Sequence, residues 1–186
     1  MKTAAFVVIA MATAAQAGTI TGTVDAKPSK YLKETIVYLK HVDGKTEAKT
    51  VEVDQKGMEF VPHIVLLVTG DSVKFQNHDK VDHSVFSTDG GYDLGAWGPG
   101  QDKDHKFSTE GVFAQVCKLH PEMLAYVFVG QNRFAATVDA NGAFSIAGVP
   151  AGSYELDVWN PKLKAPSQKV TVDDKAAATA KFSLTR

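Results

Sequence analysis

The feature that most limits how this chain can fold is a recurring one. Short runs of β-branched and aromatic residues are parted by Gly, Asp or Asn, and they outnumber anything with helical spacing. Residues 18–24 (Gly-Thr-Ile-Thr-Gly-Thr-Val) alternate with a period near two, and residues 34–40 (Glu-Thr-Ile-Val-Tyr-Leu-Lys) are rich in strand formers. The apolar run 64–68 precedes a Gly70-Asp71 turn and a further run over residues 72–76. Val85-Phe86, Lys106-Phe107 and residues 112–116, 125–129, 134–138, 143–146, 154–159, 169–172 and 178–184 continue the pattern. Residues 176–180 are biased toward alanine, but the alternation after them favours a closing strand. Many short strands between turn residues predict an all-β chain of sandwich or barrel type.

The first residues read differently. Lys2 is followed by an apolar run over residues 4–15, too short to cross a bilayer as a helix, and then by the small-x-small triplet Ala15-Gln16-Ala17. Residues 1–17 are therefore expected to be a secretory leader, with the mature chain starting at Gly18 in the periplasm. No second long apolar stretch follows, so no membrane span is expected. The 20 basic and 21 acidic residues form no basic stripe, which argues against nucleic acid as a partner.

Export places the chain in an oxidising compartment, yet it holds one cysteine, Cys117, which has no partner for an internal disulfide. Its neighbours favour metal binding. Cys117-Lys-Leu-His120-Pro-Glu-Met123 sets a thiolate, an imidazole and a thioether within seven residues, on what reads as a loop leaving a strand. Soft thiolate and thioether with imidazole suit a single copper ion that shuttles between two oxidation states. The further ligand must come from elsewhere, and His83 is the best candidate. Taken one at a time, these residues have plainer roles: packing for Cys117 and Met123, a surface or structural group for each histidine. Their joint occurrence in this order is what points to a metal. His78 with Asp79 could form a weak second site, although solvated loop positions are the simpler reading. His41 and His105 read as solvated, His63 as lying on a strand edge, and Glu122 as facing water. Trp97 reads as a shield or a partner contact, and Trp159 as core.

Two modules are expected. Residues 139–146 (Asp-Ala-Asn-Gly-Ala-Phe-Ser-Ile) and 149–154 (Val-Pro-Ala-Gly-Ser-Tyr) resemble the carboxypeptidase regulatory-like family of small, prealbumin-like β-sandwiches. Asn141-Gly142 carries a type I′ hairpin signal there, and Pro150-Ala-Gly152 marks a second tight turn. The opening strands of that family resemble Gly22-Thr-Val24 and Thr35-Ile-Val-Tyr-Leu39, far upstream. The intervening segment resembles the cupredoxins, the blue-copper electron carriers with a Greek-key β-sandwich. The residues behind this likeness are Gly57-Met-Glu-Phe-Val-Pro62, Gly70-Asp-Ser-Val-Lys-Phe-Gln-Asn77, Asp82-His83-Ser84-Val85-Phe86, the stretch from Gly111 through Cys117 to Met123, and Ala125-Tyr-Val-Phe-Val129. The ligand spacing is similar to that of amicyanin. The whole arrangement is similar to periplasmic proteins associated with methylamine utilisation, which combine both modules. A cupredoxin module over residues 50–130, inserted into a sandwich split between 18–49 and 131–186, is one division. Two consecutive domains is the other.

The cupredoxin resemblance implies one copper cycling between Cu(I) and Cu(II). His83, Cys117 and His120 would lie in a plane about it, with Met123 as a long axial ligand. It also implies a bond from the Ser84 N–H to the Cys117 sulfur. Pro121 has no N–H, so no second donor is expected from its side of the loop. Asn77 is expected to pin the two ligand loops together. Electrons would pass through the exposed edge of His120 to a transiently docked redox partner, over a patch of Leu119, Pro121 and Leu124. Copper transport or storage would use the same ligands. An enzyme is not expected, because the paired H-x-H motifs of a second, catalytic copper are missing. His120 is also too near Cys117 in sequence to act as the base of a cysteine hydrolase.

Overall fold

The computed structural model describes residues 17–42, 44, 46–173 and 176–186. The expected leader, residues 1–17, lies outside them except for Ala17. The chain is all-β, as its pattern predicts, with a single 3-10 turn at Ser29–Glu34 among the described residues. Its strands are β1 (Ala17–Ala26), β2 (Ile36–Lys40), β3 (Thr50–Gln55), β4 (Phe60–Val61), β5 (Ile64–Val68), β6 (Ser72–Asn77), β7 (His83–Ser87) and β8 (Tyr92–Trp97). They continue with β9 (Asp102–Lys106), β10 (Gly111–Val116), β11 (Leu124–Gly130), β12 (Ala135–Thr137), β13 (Ala143–Pro150), β14 (Gly152–Trp159), β15 (Gln168–Val172) and β16 (Ala178–Leu184).

Four sheets form, ordered β13-β1-β16, β12-β2-β14-β15, β5-β11-β10-β7-β8 and β4-β3-β6-β9. Alternation along the strands turns one side chain in two toward a partner sheet, so two separate cores result. One core joins the first two sheets through Ile20, Val24, Leu39, Phe144, Ile146, Leu156, Val172 and Phe182. The other joins the last two through Val53, Phe60, Val65, Leu67, Val73, Phe75, Val85 and Val127, and it ends in Trp97, Cys117 and Met123. Strands β1 and β2 therefore share sheets with β12–β16, while β3–β11, between them in sequence, make up the second sandwich.

The expected type I′ hairpin at Asn141-Gly142 does not form. Gly142 is left-handed (φ 85°) but Asn141 is not, and the Gly142 N–H donates to Asp139 O. This is a type I turn followed by a glycine in the left-handed region, the three-residue solution. It joins β12, on one sheet, to β13, on the other. A Cβ at Gly142 would stand 2.4 Å from Val24 O, so glycine serves close approach there as well as φ.

The two sandwiches meet along β5 and β11. Tyr126 packs edge-on against Trp159 at 5.0 Å between centroids, and Phe128 against Tyr38 at 4.8 Å. Trp159 is thus half-buried at the junction and not a residue of either core. Arg133, just after β11, donates to the buried carboxylate of Asp71 from both terminal guanidinium nitrogens, and it also donates to Glu47 O at 2.7 Å. The junction covers one side of β5, an otherwise open edge. In the other sheet of this sandwich the edge strand β9 carries Asp102, Lys103, Asp104, His105 and Lys106, a charged row that discourages pairing with another chain.

Candidate metal centre

The ligand candidates lie at one end of the second sandwich. His83 opens β7, Cys117 follows the last residue of β10, and His120 and Met123 lie in the loop from β10 to β11. The Met123 N–H donates to His120 O at 3.0 Å, which curls this loop into a turn. One ligand atom from each of His83, Cys117 and His120 falls within 4.8 Å of the others. His83 Nδ1 is 3.0 Å from His120 Nδ1, and Cys117 Sγ is 3.7 Å from that same His120 nitrogen. Cys117 and His83 are buried, at 3% and 0% exposure, whereas His120 is half-buried. Met123 is 1% exposed and belongs to the same core as Cys117.

Hydrogen bonds settle the chemistry of each group. Asp79 Oδ2 lies 2.8 Å from His83 Nε2. An ionised carboxylate only accepts, so in the neutral ring the proton sits on Nε2, and Nδ1 keeps its lone pair for the interior of the cluster. The Ser84 N–H donates to Cys117 Sγ at 3.3 Å, with the Ser84 hydroxyl 3.6 Å from the same sulfur. That hydroxyl also accepts from the Lys118 N–H at 2.9 Å, so β7 is tied to the Cys117 loop. Burial pushes the Cys117 thiol up, but bonds from Ser84 N–H, Ser84 Oγ, Leu119 N–H and His83 outweigh it and hold the thiol at about 6. The Leu119 N–H adds to this lowering from within the loop, two residues after Cys117 and two before Pro121.

The donor set fits a soft or borderline first-row metal ion. Bonds of about 2.0 Å from nitrogen and about 2.3 Å from sulfur would let one ion be shared by nitrogens up to about 4.0 Å apart and by nitrogen and sulfur up to about 4.3 Å apart. The observed separations of 3.0 Å and 3.7 Å fall inside those limits. Two imidazole nitrogens and a thiol held below its ordinary range, facing one another in a buried cluster, need a proton or a cation between them. Because the metal takes the thiolate, protons compete for it. We expect affinity for copper to fall by at least tenfold per unit below about 6, where protons compete for the thiolate. Competition titrations across pH 5–8 check this; a flat profile down to pH 5 would contradict it.

Several neighbours differ from their sequence-based reading. Asp79 is no free loop residue: it accepts from Gly57 N–H (2.7 Å), Met58 N–H (2.9 Å) and His83. The N–H bonds from Met58 and Gly57, together with His83, hold its carboxyl below the usual range despite the cost of burial. Its neighbour His78 is exposed and pairs with Asp54 at 2.8 Å. Asn77 donates to Val81 O (2.9 Å) and Trp97 O (3.1 Å) and accepts from Asp79 N–H (3.0 Å). It pins the loop before His83 to the end of β8, not to the Cys117 loop. Trp97 is 4% exposed and sits opposite His83 in the β7–β8 ladder, as core and not as an exposed shield. His105 is stacked on Tyr92 at 3.6 Å, and burial lowers its pKa. His41, His63 and Glu122 are exposed.

A family described as polysaccharide lyase family 4, domain II, matches residues 127–180. No curated protein sequence matches the chain. Among solved structures, the chain is similar to the Cu-containing nitrite reductase (NirK) from Thermus scotoductus SA-01, with 22% identity over 45% of this chain and a TM-score of 0.42. Only 23% of that enzyme is spanned. It is also similar to a purple cupredoxin from Nitrosopumilus maritimus, with 22% identity, 42% of this chain, 98% of that one and a TM-score of 0.39. For a reduced amicyanin carrying a single tryptophan-to-tyrosine substitution the values are 22%, 43%, 81% and 0.41.

Proposed function

We propose that this chain is a periplasmic mononuclear copper protein that carries one electron at a time between redox partners. The observation behind this reading is the convergence of His83, Cys117 and His120, with ligand atoms within 4.8 Å of one another at the end of a rigid core. His83 and His120 would hold the ion through Nδ1, Cys117 would hold it as thiolate, and Met123 would be the weak fourth ligand. When bound, copper supplies a couple whose two oxidation states differ by one electron.

The protein's part is to keep the ligands still. Ser84 holds the sulfur through its N–H and its hydroxyl, and core packing fixes the strands that lead to the ligands. Ligands held in place before and after the electron moves keep the rearrangement small.

Residues 1–17 would be the export signal. Residues 50–130 would form a cupredoxin domain inserted into a carboxypeptidase regulatory-like sandwich made of 18–49 and 131–186, and no enzymatic role is assigned to either. The partner would dock over His120. Leu119 (50% exposed) on the Cys117 loop and Val81 (44%) on the His83 loop offer it apolar surface, and Pro121 on the Cys117 loop is exposed too.

The test is to add one equivalent of Cu(II) to the purified protein and record its voltammogram. A reversible one-electron wave is expected. Rapid surrender of Cu(I) to a competing chelator, without such a wave, would make the protein a copper carrier or store instead.

A further inference from the structure

We propose that Asp79 is a positioning residue: its carboxylate, bolted to the Gly57-Met58 turn, fixes His83 in the one ring state and orientation that can bind the metal, and lowers the reduction potential. This rests on the copper reading above. The carboxylate is shared between two tasks. Oδ1 accepts from Gly57 N–H at 2.7 Å, and Oδ2 accepts both from Met58 N–H at 2.9 Å and from His83 Nε2 at 2.8 Å. The Asp79 N–H is itself held by Asn77 Oδ1 at 3.0 Å. Gly57 and Met58 are both left-handed, with φ of 68° and 63°, a conformation that turns two successive N–H groups toward a single acceptor. Left-handed backbone is unfavourable at a methionine, and the bond to Asp79 gives it a reason to persist. The turn between β3 and β4, remote in sequence from every ligand candidate, is thereby coupled to His83.

The two imidazoles are held unequally. His83 is fully buried and gripped at Nε2, the nitrogen that faces away from the cluster. His120 is half-buried, and the hydrogen bonds its ring makes among the described residues run inward, through Nδ1, to His83 and Cys117. A carboxylate behind a metal-bound imidazole makes that imidazole a stronger donor, which favours the more highly charged metal. Asp79 thus places a negative charge one ring away from the ion and stabilises Cu(II) over Cu(I).

Asp79→Asn and Asp79→Ala test this, with the fold of each metal-free variant followed by its melting curve. Outer partners of metal ligands are typically worth 10–100-fold in affinity. A tenfold loss of Cu(II) affinity with Cu(I) affinity unchanged raises the potential by about 59 mV for one electron. We expect at least that rise in Asp79→Asn, which keeps the size of the side chain and so carries the test if Asp79→Ala does not fold. Nitrogen NMR of the metal-free wild type should show His83 protonated at Nε2, with that signal lost or broadened in either variant. An unchanged potential together with an unchanged His83 signal would overturn the proposal. If the wild type bound no copper, the function proposed above would fail, whereas the NMR comparison would still read the Asp79–His83 bond.

Discussion

Cys117→Ser is expected to abolish the intense visible band of the copper-loaded protein and to weaken copper binding by orders of magnitude, while the metal-free fold survives. A thiolate shares electron density with Cu(II) and gives strong charge-transfer absorption. A serine hydroxyl with its pKa far above the working range offers neither the charge nor the softness. Cys117 is 3% exposed, and serine differs from it by one atom, so the cavity is nearly conserved. The Ser84 N–H now directed at sulfur can be met by the serine oxygen. Loss of colour without loss of the fold would thus separate a ligand from a packing residue. A band that persists in the variant would remove Cys117 from the copper site.

Arg133→Ala is expected to be strongly destabilising although it lies away from that site. Asp71 is 0% exposed, and Arg133 grips both of its carboxylate oxygens, while Lys49 N–H (2.8 Å) and Val68 N–H (2.9 Å) complete the set. Burial alone would push the Asp71 carboxyl up; Arg133 and the two backbone donors reverse this and hold it below its usual range. Removing one partner of a buried pair leaves an uncompensated charge and costs about 3–5 kcal/mol. For a chain of this size that is a fall in melting temperature of roughly 6–20 °C. The pH dependence follows from the sign of the shift. A carboxyl depressed in the folded state stabilises above its unfolded pKa near 4, and that contribution is lost as pH falls through the folded value. Arg133→Ala should therefore also bring acid unfolding to higher pH. The copper band should be unaffected, because β6 separates Asp71 from Asn77 at the site end by its whole length, roughly 17 Å. A loss below about 1 kcal/mol would mean that the pair is solvated in solution.

How legible each element was depended on where its information lies. Strands β1, β6 and β16 write their buried faces as alternation, and residues 18–24, 72–76 and 178–184 show it. Strand β9 has no apolar residue at all, because an edge strand needs charge more than burial, so the pattern touches only its last residue, Lys106, beside Phe107. Strand β8 is interrupted by Gly95, left-handed at φ 71°, which reads as a turn. At the candidate site, the Cys117-to-Met123 spacing is local and visible. Asp79 is not, because its meaning comes from Gly57 and Met58, more than twenty residues earlier, and only the pairing of β3 with β6 brings that turn to it. Asn77 sits at a suggestive distance from His83, but the ladder that carries Trp97 decides which loop it pins.

The most direct test of the central claim is X-ray absorption on the protein loaded with one equivalent of copper. One short thiolate sulfur and two imidazole scatterers per copper are expected, with the short sulfur lost in Cys117→Ser and one imidazole lost in His83→Ala. A coordination shell of oxygen and nitrogen alone, unchanged by either substitution, would contradict the convergence of these side chains on a single ion.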